Sequence, residues 1–265
     1  MFDRRIKKYL NKLESGEAFN YSAFLSLLPE QLKEAVRGHA TVNFIKKDLA
    51  NVEISCDELQ KRLYELTIVP DDRVSATLLG NSHKVKTSTS YLFVYHQECA
   101  GVHPDTIVSN EDDVHLCFKP KKQVVIVENS ELFFSKNVLF TQMNKAFSLS
   151  LSFDNTDLIF GSGNHVSNQY NQKLLNQYDS VLCFFDYDLG GLTIFKAIKN
   201  MMGDKASLVE PQLNKLDHFF VKRPNNAEQY KKALNAALEL GLKELYKTLL
   251  AKNAFMEQEA ILALE

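Results

Sequence analysis

Three carboxylates stand directly after two short apolar segments, and they are the residues best suited to chemistry. Glu128 follows QVVIV at 123–127, and Asp186 and Asp188 follow SVLCFF at 180–185. Residues two apart in an extended chain point to the same side, so the aspartates can face one ligand. Like charges this close repel each other, and a cation offsets the repulsion. Mg²⁺ and Mn²⁺ prefer oxygen ligands, so we predict a divalent-cation site at these three residues.

A purely structural interpretation of the same acids is also open. Asp188 precedes a helix-forming segment and can cap it. Glu128 can cap a helix or pair with a lysine. However, a strand followed by Glu together with a later strand followed by DxDxGG is less common than DxD alone. We therefore prefer the metal site.

The segments around these acids alternate between short apolar runs and stretches of helical length. Strands are predicted at 123–129, 157–163, 180–188 and 206–211, and helices at 131–147, 165–178 and 190–202. The alternation predicts an α/β fold with a mainly parallel sheet flanked by helices. The remainder, 226–265, is predicted to be helical almost throughout, with a weak point at Gly241.

Ligands of an open parallel sheet bind beyond the carboxyl ends of its strands. Glu128 joins the two aspartates there if the first and third predicted strands are neighbours. A serine and an asparagine after the second strand can donate to a phosphate at a helix N-terminus. The glycine pair after the third strand lets a phosphate backbone approach closely. The candidate phosphate or DNA contacts are Ser162, Asn164, His165, Gly190, Gly191, Lys222 and Arg223. For His165 we prefer the alternative of a solvent-facing residue at a helix N-terminus, and Lys222 and Arg223 are candidates because they lie near the C-terminal half of the sheet.

Residues 1–118 are less regular, and we predict a mainly helical domain there, separate from residues 119–265. An acidic cluster, a proline and a basic cluster at 109–123 suggest the boundary. Helical segments precede β-branched and aromatic residues at 82–98, an order that fits a winged helix. We prefer the alternative, a small packing domain with solvated lysines. The winged-helix interpretation would assign DNA contacts to Lys46, Lys47, Lys84 and Lys86.

The composition limits the class of protein. The 265 residues carry a net charge of −2, so DNA binding would need a local basic patch. The four cysteines form no CxxC pair, which predicts neither a zinc site nor a disulfide framework. The first residues lack the apolar core of a signal peptide, and no apolar run reaches the length of a membrane span. We therefore expect a soluble, cytoplasmic protein without a membrane partner.

The order of these segments resembles the Toprim signature, a glutamate after one strand and DxD after a later one. Toprim domains occur in topoisomerases, DnaG-type primases and OLD-type nucleases. The resemblance is closer to JetD, the nuclease subunit of Wadjet-type plasmid-defence systems, and to its relative MksG in MksBEF-type condensins. It covers about residues 120–262 and rests on four elements: Glu128-Asn129, Gly161-Ser162-Gly163, DYDLGGL at 186–192 and FMEQE at 255–259.

The resemblance implies a Mg²⁺- or Mn²⁺-dependent endonuclease that cleaves plasmid or foreign DNA. Glu128, Asp186 and Asp188 would bind one or two cations, and Glu128 is also a candidate proton acceptor. The implied partners are DNA, a second copy of the chain, and SMC-like and kleisin subunits. Glu257 and Glu259 could lie near the site, although we prefer a solvated helix surface for them.

Two other functions stay open. One is a Toprim scaffold that binds metal and DNA without cleaving. The other is an RNA-processing Toprim nuclease, although such proteins are smaller and begin with the Toprim core. One departure from the family pattern is the sequence after EN, where Ser130-Glu131-Leu132-Phe133 stands in place of the usual threonine and phenylalanine.

Overall fold

The chain divides into two units, each with its own hydrophobic core. The computed structural model describes residues 3–68, 70, 73–78, 87–99, 101 and 103–264. The units are Met1–Ser88 and Thr89–Glu265. The division therefore falls after Ser88, whereas the sequence suggested a boundary at 118–119. The reason is that the β-branched and aromatic residues from Thr89 onward form strands of the second unit's sheet.

The first unit combines short helices with a small antiparallel sheet. Its elements are α1 (Arg4–Glu14), β1 (Phe19–Asn20), α2 (Tyr21–Ser26), α3 (Glu30–His39), β2 (Ala40–Phe44), β3 (Leu49–Ile54), α4 (Asp57–Glu65) and α5 (Arg73–Leu78). The strand order is β1-β3-β2. This strand order, within the succession α1-β1-α2-α3-β2-β3, is compatible with the winged helix considered from the sequence, which stays a prediction.

Local sequence explains these elements. The Asn20 side chain accepts the Ala23 N–H and so begins α2. In β3, Ala50, Val52 and Ile54 are buried and alternate with more exposed residues, which is the period of a strand with one covered face.

The hairpin of this unit is β2–β3, and not the predicted segment 82–98. Lys46 and Lys47 are exposed at its turn. Lys84 and Lys86 lie outside the described residues.

The second unit is built on a six-stranded sheet. Its strands are β4 (Thr89–Tyr95), β5 (Asp105–Asn110), β6 (Gln123–Val127), β7 (Thr156–Phe160), β8 (Ser180–Phe184) and β9 (Ala206–Leu208). The order is β5-β4-β7-β6-β8-β9, in which β7, β6, β8 and β9 are parallel and the other two antiparallel. The predicted α/β fold with a mainly parallel sheet is confirmed.

Helices surround this sheet. They are α6 (Ser130–Phe134), α7 (Lys136–Phe147), α8 (Gln172–Leu175), α9 (Leu189–Met202), α10 (Leu213–Leu216), α11 (Ala227–Glu239) and α12 (Lys243–Lys252). Short 3-10 helices occur at Gly163–Ser167, Gln169–Asn171, Gly203–Lys205, Asp217–Phe219 and Gln258–Ala263. Within the described part of the chain, no helix is both long and apolar enough to cross a membrane.

The central strand β6 fixes where the strand ends meet. Its residues 124–127 are fully buried, as expected for a parallel strand covered on both faces. Val127 is in register with Phe160 of β7 and with Phe184 of β8. The residues that follow these three strands therefore emerge at the same edge of the sheet.

Two predicted helices differ from the structure. The segment 165–178 is broken into short pieces, because Asn168 and Asn171 bind backbone groups that a continuous helix would use. The C-terminal helices end at Gly241 and at Asn253, both with positive φ. After Asn253 the chain is not helical again until Gln258, contrary to the prediction for 226–265.

Candidate metal centre at the strand ends

Glu128, Asp186 and Asp188 follow the neighbouring strands β6 and β8. The residue between the aspartates, Tyr187, is buried; its hydroxyl donates to the Val209 carbonyl at 2.7 Å. Because side chains alternate along an extended chain, the two aspartates face away from this core. Their charges both act on Glu128.

An open pocket of about 310 Å³ lies at these strand ends. Glu128 and Asp186 line it, together with Ser162, Gly163 and Gln258. The pocket thus combines two carboxylates with a polar loop that follows β7. It is accessible from outside and polar enough to receive a charged ligand.

The electrostatics of Glu128 indicate an excess of negative charge. Its Oε2 atom is buried and has no hydrogen-bond partner among the described residues. Burial raises the pKa of Glu128 to about 7, and the charges of Asp186, Asp188 and Glu259 add to the increase. Burial also raises the pKa of Asp186, although hydrogen bonds from Gln258 oppose it. A divalent cation would offset this charge, so the donor set fits Mg²⁺ or Mn²⁺.

Asp188 has the capping role that the sequence left open, and its metal-binding role stays a prediction. Its Oδ1 accepts the Gly190 and Gly191 N–H groups at 2.8 and 3.1 Å and so caps α9. Its Oδ2 lies 3.4 Å from the Lys222 Nζ. The cap orients the carboxylate, and the other oxygen already faces one cationic group, the Lys222 ammonium.

Gly191 is required by packing. A Cβ at this position would lie 2.2 Å from the Asp186 carbonyl oxygen, far inside van der Waals contact. The start of α9 can approach the end of β8 only without a side chain here. Since Asp188 binds the N–H groups of both Gly190 and Gly191, the structure gives them a capping and packing role. A phosphate contact at either stays a prediction.

The segment FMEQE completes the site from the other end of the unit. The Tyr187 N–H donates to the Met256 carbonyl at 2.9 Å, and Phe255 exchanges two backbone hydrogen bonds with Lys222. These contacts fix the chain as it enters Gln258, and they bring Lys222 beside the aspartates. The non-helical residues that precede Gln258 therefore lie beside the strand ends of the second unit.

Gln258 is a site residue that sequence reasoning missed. Its backbone N–H and its side-chain Nε2 donate to Asp186 Oδ1 at 2.9 and 3.3 Å. Its Oε1 accepts the Glu128 N–H at 3.2 Å. The buried amide thus links both strand ends. The available signal was its place inside FMEQE, where we considered only the flanking glutamates.

Those glutamates lie near the site, as the sequence allowed, and Glu257 is at the same time exposed to solvent at the start of the 3-10 helix. Glu257 Oε1 is 2.8 Å from the Lys222 Nζ, and Glu259 accepts a hydrogen bond from the Asn129 amide. Burial lowers the pKa of Lys222, but the hydrogen bond to Glu257 and the nearby carboxylates outweigh it, so the pKa is raised overall. Lys222 is thus a built-in cation of the centre.

The other predicted contacts are distributed over several places. Ser162 lines the pocket, with a left-handed backbone at φ 47°. Asn164 accepts a hydrogen bond from the Ser167 hydroxyl at 2.6 Å. The His165 Nε2 lies 2.8 Å from the Tyr91 carbonyl oxygen, so this ring is held against β4. Arg223 lines a different pocket, with Lys252 and Asn253. Of these residues, the structure brings only Ser162 to the acidic pocket.

One protein family matches the part of the chain that carries these residues. The family model described as Wadjet protein JetD, C-terminal, matches residues 114–264, more than half of the chain. The chain belongs to the Wadjet JetD family. The matched range includes the carboxylates, Lys222 and Gln258, and it confirms the resemblance to JetD. No curated protein matches the chain.

Proposed function

We propose that this protein is a Mg²⁺- or Mn²⁺-dependent Toprim DNA endonuclease that serves as the nuclease subunit of a Wadjet-type defence complex. The main supporting observation is the unpartnered, buried oxygen of Glu128 beside Asp186 and Asp188. Membership of the JetD family supports the defence context. Together they favour cleavage of plasmid or other foreign DNA.

The residues of the centre have distinct roles in this proposal. Glu128, Asp186 and Asp188 would hold the cation, which when bound polarises the scissile phosphate and lowers the pKa of the attacking water. Glu128 is also the candidate proton acceptor, through an oxygen that the cation leaves uncoordinated, because it lies beside the two aspartates. Gln258 and the capping contacts of Asp188 hold the carboxylates in place before the substrate arrives.

DNA would be delivered by partners in this proposal. The net charge of −2 predicts weak intrinsic affinity for a phosphate backbone. We infer an SMC-like motor with a kleisin as the delivering complex, and a homodimer as the active form in the cytoplasm. The hairpin lysines Lys46 and Lys47 are candidate phosphate contacts of the winged-helix unit.

Lys222 favours a second function, a non-cleaving DNA-binding scaffold. Its ammonium contacts Asp188 and Glu257 and so partly neutralises the acids without a metal. A centre balanced in this way could be retained for stability alone.

The deciding experiment is plasmid cleavage by the purified chain, alone and with its SMC-like partners, in Mg²⁺, Mn²⁺ or EDTA. Asp186→Asn removes a carboxylate charge with little change of shape. The matched control is Asp204→Asn, because Asp204 is fully exposed just beyond the opposite end of α9. Metal-dependent cleavage that is lost only in Asp186→Asn supports the nuclease. DNA binding without cleavage in any condition would establish the scaffold.

A further inference from the structure

A second cluster of metal-binding side chains lies on the antiparallel part of the sheet. His96 directly follows β4, Cys99 is three residues further, and Asp105 begins β5. One ligand atom from each of these three residues lies within 4.8 Å of the other two. Among the described residues, no other group of three or more His, Cys, Asp or Glu side chains brings its ligand atoms this close together. The acidic centre is not part of this cluster.

A candidate fourth donor, Cys117, contacts Asp105 but lies outside the group of three. The Cys117 thiol donates to Asp105 Oδ2 at 3.0 Å, and the His96 Nε2–H donates to the same oxygen at 2.8 Å. Asp105 therefore stands between an imidazole and a thiol. The cluster offers one nitrogen, one oxygen and two sulfur donors, drawn from the β4–β5 hairpin and the segment that follows it.

We propose that His96, Cys99, Asp105 and Cys117 form a tetrahedral zinc site. A zinc ion with bonds of about 2.0–2.3 Å separates its ligand atoms by roughly 3.3–3.8 Å. The two hydrogen-bond distances to Asp105 need to open by less than about 1 Å to reach this spacing. Cys117 lies outside the group of three, so its side chain must also move toward His96 and Cys99. Mixed nitrogen and sulfur donors in four-coordinate geometry select zinc over Mg²⁺ or Ca²⁺.

The surroundings hold the donors in position. His96 is buried, and its ring stacks on Phe118 at 4.0 Å with the planes 4° apart. The His96 backbone N–H points at the Cys99 sulfur at 3.4 Å, and the Cys99 N–H closes a turn onto the His96 carbonyl at 3.2 Å. A backbone N–H directed at sulfur stabilises a thiolate, the form that binds metal.

Zinc binding has a defined proton balance. Both thiols lose their protons to solvent, and the His96 ring proton moves from Nε2 to Nδ1. Nδ1 must then release its 3.4 Å contact with the Glu98 N–H. The ion replaces the hydrogen bonds that Asp105 now accepts. As two thiol protons leave, affinity for zinc rises with pH.

The site would be structural, because four protein donors leave no position for substrate. Bound zinc would connect the segment that precedes β6 to the end of β4. The strand between these two points of the chain, β5, is an edge strand of the sheet. The sequence pattern did not reveal it because Cys99 and Cys117 are separated by the whole of β5. The search for CxxC pairs detects only ligands that are close along the chain.

The test is the zinc content of the purified full chain, prepared under reducing conditions and measured by mass spectrometry of the metal. We expect about one zinc per chain, and Co²⁺ in its place should give thiolate charge-transfer and tetrahedral d–d absorption. Cys117→Ser, at an exposed position, should fold and lose zinc affinity by on the order of 100-fold or more. Cys56→Ser, in the first unit, is the matched control and should keep its zinc.

Three outcomes would overturn the site. One is a folded wild type with less than about a tenth of a zinc per chain and no cobalt spectrum, which leaves a hydrogen-bonded network only. A second is zinc that persists in Cys117→Ser and Cys99→Ser. The third is a Cys99–Cys117 disulfide in peptide mapping. Zinc that disappears in Asp186→Asn instead would place the metal in the acidic centre, so failure here is separate from failure of the nuclease proposal.

Discussion

The acidic centre, formed by Glu128, Asp186 and Asp188, and the His96 cluster occupy different parts of one sheet and are built from different donors. The His96 cluster consists of His96, Cys99, Asp105 and Cys117. The acidic centre lies at the carboxyl ends of parallel strands and gathers carboxylates around a single lysine. The His96 cluster lies on the antiparallel hairpin and combines imidazole, thiols and one carboxylate. The acidic centre brings like charges together, whereas in the His96 cluster hydrogen-bond donors face a hydrogen-bond acceptor.

This difference has consequences for the metal-free protein. In the acidic centre, burial raises the pKa of Glu128 and of Asp186, so the ionised carboxylates lower the stability of the folded protein. In the cluster the hydrogen bonds from His96 and Cys117 lower the pKa of Asp105, so its charge is already stabilised. The acidic centre is thus suited to an exchangeable cation that takes part in chemistry. In the cluster, zinc would have to replace hydrogen bonds that already stabilise Asp105.

The largest expected effect separates the two regions by activity. Asp186→Asn should reduce metal-dependent cleavage about a thousandfold or more, equal to about 4 kcal/mol of transition-state stabilisation. Cys117→Ser should change the cleavage rate by no more than a few fold, because the cluster contacts no substrate. Initial rates of plasmid nicking at saturating Mg²⁺ measure both. Equal losses in the two variants would mean that the regions act as one site.

Gly191→Ala should disturb one region and spare the other. The added methyl group meets the Asp186 carbonyl oxygen, so the start of α9 must shift. We expect the unfolding free energy to fall by about 3 kcal/mol and cleavage to fall with it. Urea denaturation measures the first quantity, and zinc content measures the cluster. Gly38→Ala, in α3, is the matched control because its φ is not positive and its Cβ position is open. Wild-type stability in Gly191→Ala would contradict the packing role.

The contrast also shows which features a sequence reveals. Strands β6 and β8 were predicted because buried parallel strands give unbroken apolar runs, and their register then places Glu128 near the aspartates. The β2–β3 hairpin was missed because its short strands flank a basic turn that also fits a helix. Gln258 and the His96 cluster depend on tertiary contacts between distant segments, which local patterns do not encode.

The pH dependence of stability should have opposite signs in the two regions. The pKa of Glu128 is raised from 4.5 to about 7 in the folded state, so its contribution is complete below pH 4.5 and is lost as pH rises to about 7. In EDTA, the unfolding free energy of Glu128→Gln relative to that of wild type should therefore rise by roughly 2 kcal/mol between pH 4 and pH 8, after allowance for partial exposure.

Asp105 provides the comparison for this pH experiment. Its pKa is lowered, so its contribution is present above pH 3.8 and is lost as pH falls through the folded-state value. The difference in unfolding free energy between wild type and Asp105→Asn should therefore disappear only at acidic pH. Chemical denaturation at a series of pH values checks both variants. A flat difference between wild type and Glu128→Gln would show that Glu128 titrates normally.

The smallest effect concerns Lys222, the built-in cation of the acidic centre. Lys222→Gln removes the charge that contacts Asp188 and Glu257, and the pair is partly exposed. We expect the metal-free protein to lose up to about 1 kcal/mol of stability. Mg²⁺ should restore more stability in the variant than in wild type, because the cation then meets carboxylates that no lysine occupies. Zinc content should not change.

The control is Lys196→Gln, which removes an exposed partner of Glu239 further along α9. Thermal unfolding of each protein in EDTA and in Mg²⁺ gives the comparison. If Lys222→Gln responded to Mg²⁺ no more than Lys196→Gln does, the lysine would not compete with the cation. Its contacts with Asp188 and Glu257 would then be surface ion pairs, and the acidic centre would have no internal substitute for metal.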